Sequence, residues 1–102
     1  MPLERDFQAK LIKEIRDLFP SCVIQKLDTS YQQGIPDLLI LWHVHWAVLE
    51  VKRKCPTKAS DFEPNQEWWL DTLNGMSFSA CIYPENKDEV LFELQQAFQS
   101  GR

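Results

Sequence analysis

The sequence predicts an α/β fold, a mixed β-sheet flanked by helices with the element order α-β-β-β-α-β-α. Apolar residues near both ends of the chain recur at helical spacing. Two aliphatic segments, residues 35–42 and 46–52, are separated by only three residues, which favours an antiparallel hairpin. Another helical segment, the second in chain order, lies between the third and fourth strands. A crossover of this kind favours a parallel pair.

The first half of the chain supplies one helix and three strands. The first predicted helix spans residues 4–19 and ends before Pro20. Four residues are expected on its apolar face: Phe7, Leu11, Ile15 and Leu18. A short strand, residues 22–27, and a polar loop, residues 28–34, come next. In the hairpin that follows, Pro36 fits only at the start of a strand or on an edge.

The second half begins with an irregular loop and then predicts a helix over residues 65–75. Asn65 is expected to cap its start and Gly75 to end it. A strand is predicted over residues 77–84 and an amphipathic helix over residues 85–99. The inward face of that last helix is expected to carry Val90, Leu91, Leu94 and Phe98.

Length and composition predict one domain over residues 1–102, 44% hydrophobic and 25% charged. The sequence contains no apolar run of the roughly 18 residues that a membrane span needs, and its first residues lack an apolar signal core. We therefore expect an intracellular, cytoplasmic protein without membrane partners. The net charge of −4 argues against a protein that coats nucleic acid, although acidic metal ligands are compatible with a nucleic-acid enzyme.

Charged residues interrupt the two hairpin strands. If the three residues between the strands form the turn, residues whose numbers sum to about 87 are paired, and Asp37 then faces Glu50. Lys52 lies two residues after Glu50 and therefore shares its face. Opposed carboxylates repel each other and need positive charge, which Lys52 and a divalent cation would supply. The alternative is a salt bridge among exposed side chains.

This pattern resembles the PD-(D/E)XK nuclease superfamily, with Pro36-Asp37 followed by Glu50-Val51-Lys52. Within it, "QGIPDLLIL" and "LEVK" are similar to the small VRR-NUC group. Gln66, followed by Trp69 and Leu70, is similar to the start of the next helix in that group. The resemblance covers about residues 4 to 98 and implies a restriction-endonuclease-like core.

The resemblance implies an endonuclease that hydrolyses DNA phosphodiester bonds with Mg²⁺ or Mn²⁺. Asp37 and Glu50 would hold one metal ion or two, with the backbone carbonyl of Val51 as a further ligand. The family also implies an acidic residue on the first helix, and Glu4 and Glu14 are the candidates. Glu4 lies about 20° from the centre of the apolar face and Glu14 about 60°, which favours Glu4.

Lys52 would orient or activate the attacking water or stabilise the pentavalent phosphate, and these roles stay open. Gln66 would orient the metal-bound water or contact the DNA backbone; a surface glutamine at a helix start is the alternative. Residues expected to contact DNA lie before Asp37 and after Lys52: Tyr31, Gln33, Arg53, Lys54 and Lys58.

A domain of this size covers only a short duplex, so we expect a homodimer. The resemblance implies structure-specific cleavage of branched, flap or Holliday-junction DNA, and a viral or prophage origin.

Trp68 and Trp69 are adjacent, so only one of them can face the core. Two further interpretations stay open, a non-catalytic module that binds nucleic acid or a partner on the same fold, and a purely structural domain.

Overall fold

A computed structural model describes residues 4–28 and 30–100. The helices and strands are α1 (Glu4–Leu18), β1 (Val23–Lys26), β2 (Leu38–Trp42), β3 (His45–Val51), α2 (Gln66–Met76), β4 (Phe78–Ile82) and α3 (Lys87–Gln99). Short 3₁₀ turns occupy Ala59–Asp61 and Pro84–Asn86. The α/β class and the predicted element order are confirmed. In the part of the chain that is described, no helix is long and apolar enough to cross a membrane.

The four strands form one mixed sheet in the order β1-β2-β3-β4. The first two pairs are antiparallel and β3 pairs with β4 in parallel, as the crossover through α2 predicts. Leu38 lies opposite Leu49, so the predicted sum of 87 is confirmed. The turn is shorter than predicted, because His45 already belongs to β3. His43 enters this two-residue turn with a φ of 57°, the positive value that matches the twist of a hairpin.

One face of the sheet carries the hydrophobic core, against which α1 and α3 pack. Side chains alternate along a strand, so every second residue of β2 and β3 points into this core. From α1 and the residue after it, the core contains Leu11, Ile15 and Phe19. From α3 it contains Val90, Leu91, Leu94, Ala97 and Phe98. The predicted inward face of α3 is therefore confirmed. The prediction for Leu18 is wrong: it is 37% exposed, and Phe19, just after the helix, fills the core at 1% exposure.

The opposite face of the sheet carries α2. Glu50 alternates with the core residues Leu49 and Val51 and meets Gln66 of α2 on this second face. Asn65 occupies the N-cap position of α2, as predicted, but both ends of this helix differ in detail from the prediction. Asn65 precedes α2 in a left-handed conformation, φ 72°, and its side chain makes no capping bond within the described residues. Gly75 does not end the helix, which continues through Met76 because glycine also adopts helical angles.

Candidate active site

Three charged side chains from the two hairpin strands meet on the second face. Asp37 lies just before β2, Glu50 near the end of β3, and Lys52 just after it. The Val51 backbone N–H donates to Asp37 Oδ2 at 2.9 Å, which joins the two strands beyond their last paired residues. Lys52 Nζ lies 3.5 Å from Glu50 Oε2. Glu50 is only 3% exposed, so the alternative of an exposed salt bridge does not describe it.

Gln66, the first residue of α2, binds both partners of that ion pair. Its Nε2 donates to Glu50 Oε2 at 2.9 Å, and its Oε1 accepts from Lys52 Nζ at 3.2 Å. The same Oε1 accepts from the backbone N–H of Glu63 at 2.8 Å. Gln66 is 4% exposed, so it is not a surface glutamine. The amide thus fixes Glu50 and Lys52 relative to each other and to the loop before α2.

The two carboxyls of the site, Asp37 and Glu50, both have raised pKa values. Burial, and after it the nearby charge of Asp37, raise the pKa of Glu50 to about 8, against the influence of Lys52. Burial also raises the pKa of Asp37, although the hydrogen bond from Val51 opposes this. Glu50 Oε1 is buried and has no hydrogen-bond partner among the described residues. When Glu50 is protonated, it can share a hydrogen bond with the facing Asp37 carboxylate. Once both carboxyls are ionised, the buried Oε1 is unfavourable unless a cation or another donor reaches it.

Glu4, and not Glu14, lies near this site. Its exposed side chain lines a cleft of about 190 Å³ together with Lys52, Arg53, Lys54, Cys55, Pro56 and Asp61. Partial burial and the charge of Asp37 raise the pKa of Glu4. Glu14 instead forms an ion pair with Lys87 at 2.7 Å. Glu4 is thus the α1 glutamate near Asp37, although its side chain is exposed and does not turn inward as the helical wheel predicts.

The side chains present fit a hard divalent cation. Within residues 4–28 and 30–100, no three His, Cys, Asp or Glu side chains cluster closely enough to form a complete metal site. The buried Glu50 carboxyl and the half-buried Asp37 carboxyl beside it are nevertheless the kind of donor that Mg²⁺ prefers. Mg²⁺ usually retains several waters and binds through one or two carboxylates together with substrate phosphate. Asp37 and Glu50 match that donor set. Glu4 is exposed in the neighbouring cleft, and the Val51 backbone contacts Asp37 through its N–H.

The residues expected to contact DNA do not lie together in the structure. Arg53 and Lys54 line the cleft beside Lys52. Lys58 is exposed outside that lining, where its backbone N–H donates to Asp61 at 3.2 Å. Tyr31 is 88% exposed and lines a separate groove.

Gln33 is exposed, and its backbone carbonyl accepts from the indole N–H of Trp69 at 3.2 Å. Trp69 is half-buried, whereas Trp68 is 59% exposed. The two adjacent indoles thus differ in exposure, as the sequence predicts.

Two contacts of Lys52 and Gln66 were not anticipated from the sequence. The Lys52 ammonium lies 5.5 Å from the centre of the Phe62 ring, within the range of a cation–π interaction. The Glu63 backbone donates to Gln66. Both residues belong to the irregular loop before α2, where neither periodicity nor a motif indicates which side chains turn inward.

Gly34 holds the loop before Asp37 close to the start of α2. Its φ is +85°, and a Cβ there would lie 2.5 Å from the Pro64 carbonyl oxygen and 2.8 Å from the Asn65 carbonyl carbon. We expect Gly34→Ala to lower the free energy of unfolding by about 1–3 kcal/mol, because it combines backbone strain with a clash. Urea denaturation followed by circular dichroism measures this.

Gly75 is the matched control, because a Cβ there meets no described atom within 4 Å. It lies inside α2, so Gly75→Ala should raise the free energy of unfolding by roughly 0.5–1 kcal/mol. Equal stability of the two variants would show that the close approach of Gly34 to Pro64 does not constrain the loop.

Comparisons with protein-family models, with curated proteins and with solved structures gave no significant match.

Proposed function

We propose that the protein is a Mg²⁺- or Mn²⁺-dependent DNA endonuclease of the PD-(D/E)XK type, with a restriction-endonuclease-like core. The main support is the buried Glu50 carboxyl, whose Oε1 lacks a partner among the described residues and which lies beside Asp37. A divalent cation satisfies that oxygen and offsets the mutual repulsion of the carboxyls. Lys52 and Gln66 surround the same position with one positive charge and one amide.

Asp37 and Glu50 would hold the cation, and Glu4 and the Val51 carbonyl would be its further ligands. When bound, the cation lowers the pKa of a coordinated water and neutralises charge on the phosphate oxygens. Lys52 directs its ammonium into the site, where it orients the attacking water or stabilises charge on the phosphate. Gln66 and the Phe62 ring keep that ammonium in place, which limits the side-chain entropy lost when substrate binds.

The cationic side chains beside the site give the DNA backbone a place to bind. Arg53 and Lys54 line the cleft that Lys52 shares with Glu4. The chain as a whole has a net charge of −4, which repels DNA. We therefore expect contact with the DNA backbone to be limited to the region around Arg53 and Lys54. A small contact region suits a substrate recognised by its shape, such as a junction or flap, better than a long duplex.

The direct test is cleavage of a labelled DNA panel that includes linear duplex, flap and four-way junction. We expect strand scission with Mg²⁺ or Mn²⁺ and none with EDTA. Repeating the assay with RNA in place of the labelled DNA strand shows whether the protein cleaves DNA, RNA or both. Metal-dependent binding without scission on every member would contradict the endonuclease and support a binding module on the same fold.

A further inference from the structure

A second groove lies on the same face of the sheet as the candidate active site. It has a volume of about 530 Å³, within the usual range for sites that bind a small planar ligand. Its lining consists of Leu27, Asp28, Tyr31, Gln32, Ile35 and Trp69. The Tyr31 ring is 88% exposed, and the Trp69 indole is fixed by its hydrogen bond to Gln33. An exposed ring beside a fixed one is the arrangement on which nucleobases stack.

The charge of this lining favours a base over a phosphate. Among the described residues that line the groove there is no lysine or arginine, and Asp28 is acidic. Hydrogen bonds from Ser30 lower the pKa of Asp28, so its carboxylate repels phosphate at neutral pH. The cations Arg53 and Lys54 line the other cleft. The aromatic, uncharged-to-acidic lining of this groove suits a nucleobase, whereas the cationic lining of the other cleft suits the phosphate backbone.

The groove begins one strand away from the carboxylates. Lys26 pairs with Leu38, and the Leu27 backbone N–H continues this ladder by donating to the Asp37 carbonyl at 2.8 Å. Leu27 and Asp37 are thus neighbours across adjacent strands, about 5 Å apart. Ile35, also in the lining, is two residues before Asp37. A base attached to a phosphate at the carboxylates can reach this groove only if it is unpaired, because a paired base is stacked inside the duplex.

We propose that this groove binds an unpaired nucleobase next to the scissile phosphate, so that the substrate is DNA with a single-stranded segment at the cleavage point. The inference rests on the proposed endonuclease function, and it adds the feature of the substrate that the site recognises. The base stacks on Tyr31 and Trp69, while its phosphate lies toward Lys52.

The test measures binding separately from cleavage. Fluorescence anisotropy in Mg²⁺ compares a short single strand with an abasic strand of equal length, using Lys52→Ala as a cleavage-deficient background. We expect the strand with bases to bind about 5- to 100-fold more tightly, and Tyr31→Ala to remove most of that difference. Tyr31→Phe retains a ring and should retain the preference. Phe92→Ala removes another exposed ring, 60% exposed on α3, and should change nothing.

Each outcome separates the groove from the nuclease. Equal binding of the two strands by the protein with Tyr31 intact, or no effect of Tyr31→Ala, overturns the groove assignment even if metal-dependent cleavage is observed. Preference for bases that Tyr31→Ala removes supports the groove even if the unsubstituted protein fails to cleave DNA. If sedimentation instead shows a dimer without DNA that Tyr31→Ala dissociates, the groove is an interface between two copies and the proposal is wrong.

Discussion

Replacing Lys52 with alanine is expected to reduce DNA cleavage by about 10²–10⁴-fold while the fold survives. The ammonium lies between Glu50 Oε2 and Gln66 Oε1, so its removal takes a positive charge from the place where phosphate charge develops. The fold tolerates the loss because Gln66 keeps its bonds to Glu50 and to the Glu63 backbone. Single-turnover cleavage at saturating protein, together with circular dichroism, measures both effects.

Lys52→Arg separates the two roles that stay open for this residue. Arginine keeps the positive charge but does not give up a proton at ordinary pH. If Lys52 acts by electrostatic stabilisation, the arginine variant should retain more activity than the alanine variant. If Lys52 accepts a proton from water, both variants should be equally inactive. Lys13→Ala on α1 removes an exposed lysine and serves as the control. Cleavage by Lys52→Ala at the unsubstituted rate would refute the assignment of the site.

The meeting of the two carboxyls could be predicted because it depends only on local structure. A short hairpin fixes its own register, and Leu38 opposite Leu49 extends to place Asp37 beside Glu50. Lys52 follows from strand alternation. Helix periodicity likewise predicts the inward residues of α3, since that face is set by 3.6 residues per turn.

The remaining features depend on how loops fold against the sheet. The contacts of Phe62 and Glu63 arise from the irregular loop before α2. The second groove lies between the polar loop before β2 and Trp69 of α2. Neither feature produces a periodic pattern in the sequence from which it could be predicted. The error at Leu18 has a similar cause: the helix ends there, and the next residue turns back into the core in a way that a helical wheel does not represent.

Glu50→Gln is expected to stabilise the metal-free protein at alkaline pH and to abolish its stabilisation by metal. Burial and Asp37 raise the pKa of Glu50 in the folded state from 4.5 to about 8, so the folded state holds a proton that the unfolded chain has released. The resulting stabilisation is fully present below pH 4.5 and is lost as the pH rises through about 8. The free energy of unfolding in EDTA should therefore fall by about 2 kcal/mol between pH 6 and pH 8.5.

Glutamine at this position removes the titration and still offers an oxygen to the Gln66 amide. The variant should thus show a flatter pH dependence and exceed the unsubstituted protein in stability at pH 8.5 in EDTA. The raised pKa of Asp37 acts in the same direction. Asp28 and Asp61 have lowered pKa values, and their contributions are complete above about pH 5.

Added metal is expected to make the unsubstituted protein more stable than Glu50→Gln, the reverse of their order in EDTA. Mg²⁺ or Mn²⁺ binds the folded state through Glu50 and Asp37, so added metal should raise the free energy of unfolding of the unsubstituted protein, more at pH 8.5 than at pH 6. Glu50→Gln should gain little, whereas the control Glu93→Gln, exposed on α3, should respond like the unsubstituted protein. Urea titrations at the two pH values give all of these quantities. A stability that rises between pH 6 and pH 8.5 in EDTA, or equal metal responses of Glu50→Gln and Glu93→Gln, would mean that the Glu50 carboxyl is neither strained by its burial nor a metal ligand.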